Sequence, residues 1–193
     1  ERFDSLWDAW IHAALVEERR PASEILQAVP SSTVGRGGHP ADLVWLLGRL
    51  SANEPIRIRC GGEGLVLEGK GVWSRDRLCR GGVAYHLSEL QSIPRHAEDF
   101  ALYTTARFFY APTGRAEGYR IPLPRGSYRV TLRFTEGFFE ERGSRVFDIL
   151  LEGRIVHEAY EPLALGFGAP GSLVFDDVEV TDRVLELDFA VRI

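Results

Sequence analysis

Tyr128-Arg129-Val130-Thr131-Leu132-Arg133-Phe134 alternates apolar and polar residues without a break. On an extended chain successive side chains point to opposite faces, so Tyr128, Val130, Leu132 and Phe134 share one side and the polar residues the other. This is the pattern of a half-buried strand. Outward from it the same period recurs. Leu185, Leu187, Phe189, Val191 and Ile193 alternate with Glu186, Asp188, Ala190 and Arg192, which predicts a long strand with one buried face. Arg145 to Leu151 and Arg154 to His157 flank Glu152-Gly153, an acidic-Gly pair that closes hairpins, so antiparallel pairing is expected there. Ile56-Arg57-Ile58-Arg59-Cys60 alternates too and reads as another strand. Many strands joined by short turns predict a mainly β fold, an antiparallel sandwich of jelly-roll type, over residues 55–193.

Residues 1–54 follow a different period. Phe3, Leu6, Trp7, Trp10, Ile11, Ala14 and Leu15 recur at helical spacing and make one apolar stripe. A second short helix is expected over Ser23 to Ala28, between Pro21 and Pro30. A third follows Pro40, with Leu43, Val44, Leu46, Leu47 and Leu50 on its apolar face. The glycine- and serine-rich stretch from Ser31 to His39 reads as a loop. The chain therefore divides into a helical extension, 1–54, and a β domain, 55–193. The Trp7–Trp10 stripe either packs on the β domain or meets a partner protein or parent polypeptide.

Composition narrows the function. With 45% hydrophobic and 26% charged residues in 193, the chain can bury a core. Its 23 basic and 28 acidic residues give a net charge of −5, the wrong sign for a partner bound by neutralising phosphates, so nucleic acid is excluded as a general ligand. No apolar run reaches the roughly 20 residues that cross a bilayer. The start, Glu1-Arg2-Phe3-Asp4, has no signal-peptide apolar segment, and a chain opening without Met reads as part of something longer. Cys60 and Cys79 stand 19 apart and do not make a disulfide framework; two free thiols are the simpler reading, with a disulfide still open.

Motifs for catalysis are missing. Gly35-Arg36-Gly37-Gly38 lacks the Gly-Lys-Ser/Thr ending of a phosphate loop. His12, His39, His86, His96 and His157 are scattered, and His157-Glu158-Ala159-Tyr160-Glu161 has Glu where a zinc-protease motif needs its second His, so no metal and no cofactor are expected. Glu136, Glu140, Glu141 and Asp148 form the one carboxylate cluster, and a solvated turn explains them better than glycosidase chemistry, which needs two carboxyls about 5 to 10 Å apart. Phe138-Phe139 carries more information. Two adjacent aromatics after a strand send one ring to the core and one to water, or both outward if the chain curls, and an exposed ring is a stacking face for the C–H groups of a sugar.

The run Gly118-Tyr119-Arg120-Ile121-Pro122 through Gly126-Ser127-Tyr128-Arg129-Val130, then Leu132-Arg133-Phe134-Thr135-Glu136, then Gly143-Ser144-Arg145-Val146-Phe147-Asp148-Ile149, resembles the malectin and malectin-like domains. Cys60-Gly61-Gly62, Trp73-Ser74-Arg75-Asp76, Gly81-Gly82-Val83-Ala84-Tyr85 and Leu102-Tyr103-Thr104-Thr105-Ala106-Arg107 are similar to that family's upstream blocks. The resemblance spans about residues 56 to 193. It implies a non-catalytic β-sandwich whose edge loops hold a short glucose-containing oligosaccharide between rings, with Trp73, Tyr85, Phe138 and Phe139 as the site and Asp76 as a polar contact. It also implies an extracytoplasmic or luminal setting, and it makes Glu136 and Asp148 structural. Two departures stand out. Phe138 occupies a position where the family has Tyr, which removes a hydroxyl donor, and the family's late Asp-Asn-Pro loop has no counterpart. The contrasting expectation is an interaction or scaffolding module of a larger signalling protein.

Overall fold

The structure, a computed structural model, describes residues 40–86, 99–110 and 117–192. The helices expected before Pro40 and the Ser31–His39 loop lie outside the described residues.

Helix α1, Pro40–Ser51, opens on proline with Asp42 in its first turn and carries Arg49 in its last, charges that suit the two ends of the helix dipole. It stops at Asn53, whose φ of 53° is left-handed; the Glu54 N–H reaches the Arg49 carbonyl at 2.9 Å and the Asn53 N–H the Leu50 carbonyl at 3.2 Å, a Schellman termination. Asp42 ties the helix down, its Oδ1 lying 2.9 Å from Arg75 Nη2 and 3.3 Å from Arg77 Nη1, while the Arg77 guanidinium stacks 4.3 Å from the Trp45 ring.

The strands that follow are β1 Leu65–Leu67, β2 Gly71–Trp73, β3 Cys79–Arg80, β4 Val83–His86, β5 Thr105–Phe108, β6 Gly118–Pro122, β7 Gly126–Phe134, β8 Phe147–Leu151, β9 Arg154–Tyr160, β10 Gly171–Val180 and β11 Val184–Val191. All pair antiparallel: β1 with β2, β4 with β5, β7 with β10, and a five-stranded sheet in the order β3-β6-β11-β8-β9. The fold is mainly β, as expected. Tyr128, Val130, Leu132 and Phe134 of β7 and Leu173 and Phe175 of β10 pack against Tyr119, Phe147, Ile149, Leu151, Tyr160, Leu185 and Leu187 of the five-stranded sheet, and this is the main core. The β8–β9 hairpin turns through Glu152 at φ 51° and Gly153 at φ 70°, the double left-handed geometry whose twist matches paired strands.

Two strand readings need correction. Ile56–Cys60 is not a strand; it touches its neighbour through the single parallel bridge Ile58–Ser74. The chain then turns away at Gly61, where φ is 71° and an added Cβ would lie 1.9 Å from the Ala106 carbonyl oxygen, so the backbone approach there excludes any side chain. On β11 both faces hold buried residues. Asp188, placed by alternation among the polar residues, is buried and takes a bidentate grip from Arg120, at 2.8 and 3.0 Å.

Asp148 on β8 accepts the Ala159 N–H at 2.8 Å and lies 2.7 Å from Arg192 Nε, partners that hold its carboxyl below its ordinary value of 3.8 against the opposing effect of burial. A depressed folded-state value gives stability that is complete above the unfolded value and lost as pH falls through the folded one. Acid thermal melts should therefore fall more steeply below about pH 4 in the native chain than in Asp148→Asn. Parallel acid limbs in the two proteins would contradict this.

Candidate functional site

Beyond the end of β7 the chain leaves the sheet, and Glu136 turns its side chain inward until it is fully buried. A buried carboxylate must be satisfied or it costs several kcal/mol. Its Oε1 accepts the N–H groups of Phe138 at 2.9 Å and Phe139 at 3.0 Å, and its Oε2 lies 2.8 Å from Arg145 Nη1. One side chain thus shapes the turn that carries the aromatic pair. Phe138 is 53% exposed, and the two rings meet edge to face at 4.9 Å.

Arg145 extends the arrangement. Its guanidinium lies 4.9 Å from the Phe139 ring centroid and 4.3 Å from that of Phe108 on β5. Burial pulls its pKa down, and Glu136 acts in the opposite direction. Phe108 in turn packs on Tyr85 of β4 at 5.4 Å. Tyr85, Phe108, Phe139 and Phe138 therefore form a continuous strip stitched by a half-buried cation, with Tyr85 39% exposed. Tyr110, the next outward residue after Phe108 by strand alternation, is exposed and close enough for its hydroxyl to act on Arg145.

Tyr85 is placed by a second buried carboxylate. Asp76 Oδ2 accepts the Gly61 N–H at 2.8 Å and Arg107 Nε at 2.7 Å, and Oδ1 accepts the Tyr119 hydroxyl at 3.0 Å. The same Arg107 donates from Nη1 to the Gly81 and Gly82 carbonyls, at 3.0 and 2.9 Å, and so fixes the turn from which β4 starts. With these three donors Asp76 has the geometry of an anchor beneath the strip. Trp73 closes β2 against Leu102 and Tyr103 and lies 5.7 Å from the Arg133 guanidinium; among the described residues no ring contact joins it to Tyr85, Phe138 or Phe139.

Of the five residues singled out from sequence, the structure links Tyr85, Phe138 and Phe139 through Phe108 and Arg145, ties Asp76 through Arg107 to the turn before Tyr85, and places Trp73 in the Leu102–Tyr103 cluster. Phe108, Arg145 and Glu136 were missed as parts of the site. The signal for Phe108 was the triplet Phe108-Phe109-Tyr110, in which alternation sends Phe109 the other way, onto Phe189 at 5.1 Å. In the carboxylate cluster Glu140 and Glu141 are exposed, as a solvated turn requires, but Glu136 and Asp148 are buried and bound by backbone amides and arginines. Cys60 is exposed, Cys79 is half-buried, and both thiols are free. Among the described residues no cluster of His, Cys, Asp and Glu is arranged to hold a metal, and no helix is long and apolar enough to cross a membrane.

Comparison with known proteins gives this arrangement its class. The family model for the malectin domain matches residues 55–192, and the chain belongs to that family. Among solved structures it is similar to the ANX1 ectodomain from Arabidopsis thaliana, with 16% identity over 70% of this chain and 42% of that one and a TM-score of 0.60. It is also similar to a structure of the plant peptide RALF23 in complex with FER and LLG2, with 18% identity over 70% of this chain and 42% of that one and a TM-score of 0.58. The third is a Bacteroides uniformis beta-glucuronidase, with 19% identity over 72% of this chain but only 16% of the enzyme and a TM-score of 0.58. At such identities the likeness is one of fold. The chain spans less than half the length of each of these neighbours. None of the curated proteins compared with it matches.

Proposed function

We propose that the chain is a non-catalytic carbohydrate-binding module, a jelly-roll-like β-sandwich that recognises short glucose-containing, α-linked oligosaccharides by stacking on Tyr85, Phe108, Phe138 and Phe139. The observation that carries this reading is the Phe138–Phe139 turn, an exposed ring and its half-buried neighbour held in place by a buried carboxylate. Exposed aromatics placed by a rigid anchor present flat faces to the C–H side of a pyranose, while the Tyr85 hydroxyl and nearby backbone groups meet its hydroxyls. Asp76 supports the strip through Arg107, which holds the turn before Tyr85, and Trp73 shares with Phe108 the packing on Leu102 and Tyr103. Stacking with few charged contacts gives micromolar to millimolar dissociation constants, about 4 to 8 kcal/mol.

Calorimetry with maltose-like and nigerose-like disaccharides tests the proposal. Phe138→Ala removes an exposed ring, so binding should weaken about tenfold while the melting temperature holds. Silence of the native chain at millimolar sugar, or native-like binding by the variant, would count against it. A protein-recognition role is the second reading; a neighbour of this fold is described in complex with a peptide, and Phe138 and Tyr85 would serve as apolar anchors for one. A module that ignores every sugar but binds a peptide through Phe138 would decide for that role.

A further inference from the structure

The loop after the 3₁₀ turn Pro162–Leu165 is fastened to the residue that shapes the ring pair. Phe167 bridges Glu136 in parallel register, and the Gly168 N–H meets the Glu136 carbonyl at 2.6 Å. Glu136 therefore fixes two neighbouring surfaces, Phe138–Phe139 through its side chain and Phe167 through its backbone. Gly166 at φ 112° and Gly168 at φ 71° flank Phe167 and permit the reversal that carries it outward. Phe167 is 38% exposed and Leu165 55%. Two residues of chain span no more than about 7 Å and bridged strands lie about 4.8 Å apart, which sets the Phe167 backbone within about 12 Å of that of Phe138.

Single surface hydrophobics need no explanation. This one differs because the backbone that presents it is pinned to the anchor of the aromatic strip, and because the bound of about 12 Å keeps it within reach of an oligosaccharide seated on the ring pair. We infer that Phe167 forms an additional saccharide subsite, flanked by Leu165, and that the ligand of this module is an oligosaccharide of at least three units, not a disaccharide. The inference rests on the carbohydrate reading given above.

Calorimetry with an α-linked glucose series from two to five units tests it. Native affinity should rise about fivefold between the disaccharide and the longer members. Phe167→Ala should bind the disaccharide as the native chain does and lose the rise. Phe167→Leu, which keeps apolar bulk without a flat face, should lose most of it and guards against a folding defect in the alanine variant. Length-independent affinity in the native chain, a rise that survives in both variants, or equal weakening for every length overturns the subsite and leaves the disaccharide reading standing. If no member of the series binds, the carbohydrate reading falls and the subsite with it.

Discussion

Glu136→Gln is expected to lower the melting temperature by about 10 °C, because removing one partner of a buried ion pair costs about 3 kcal/mol and each kcal/mol moves a domain of this size by about 2 to 4 °C. The new amide still offers an oxygen to the Phe138 and Phe139 N–H groups, but its NH₂ faces the Arg145 guanidinium donor to donor. Arg145 is half-buried against Phe108 and Phe139, so water replaces the lost carboxylate only in part. Glu136→Ala should cost more, since two backbone donors then lose their acceptor as well. Differential scanning calorimetry on Glu136→Gln, Arg145→Gln and the double variant measures the pair: the double change should cost clearly less than the sum of the singles. Strict additivity, or a melting temperature within about 2 °C of native in Glu136→Gln, would show that the Glu136–Arg145 pair contributes nothing to stability.

The second large effect belongs to Asp76. Asp76→Ala leaves the Gly61 N–H, Arg107 Nε and the Tyr119 hydroxyl without their acceptor and the Arg107 guanidinium without its counter-charge, at a cost of about 3 kcal/mol. Because Arg107 also holds the Gly81 and Gly82 carbonyls, the loss should spread to β4 and to Tyr85. Hydrogen exchange should show the β4–β5 amides losing protection ahead of β8 and β11, at temperatures where the variant remains folded. Uniform loss of protection would mean that Asp76 supports the whole core and not the strand that presents Tyr85.

What was readable from sequence follows from how local the cause is. The period of two in β7 and β11 reports burial on one face, and Glu152-Gly153 announces its turn because the required left-handed φ values are a local demand. Ile56–Cys60 shows the same alternation but has only one bridge to its neighbour, which no periodicity can reveal. The aromatic pair was visible because it is contiguous. The family resemblance marks Glu136 as structural, but its link to the ring pair is not readable, because Glu beside Glu140, Glu141 and Arg142 resembles a solvated turn and its burial depends on Arg145, nine residues further on, and on loop 166–168. A carboxylate two and three residues ahead of the amides of an aromatic pair was the available clue. Trp73 was assigned by the order of family blocks, and its position depends on packing against Leu102 and Tyr103 that the order of blocks does not encode.

The turn that presents Phe138 and Phe139 also bears on how tightly this surface can hold anything. Its amides are bound by Glu136 before any ligand arrives, so the backbone that carries the two rings is already fixed. Association then carries a smaller entropy penalty than it would for a loop that must order around its guest, and a shallow, open surface retains more of the enthalpy of contact as net affinity.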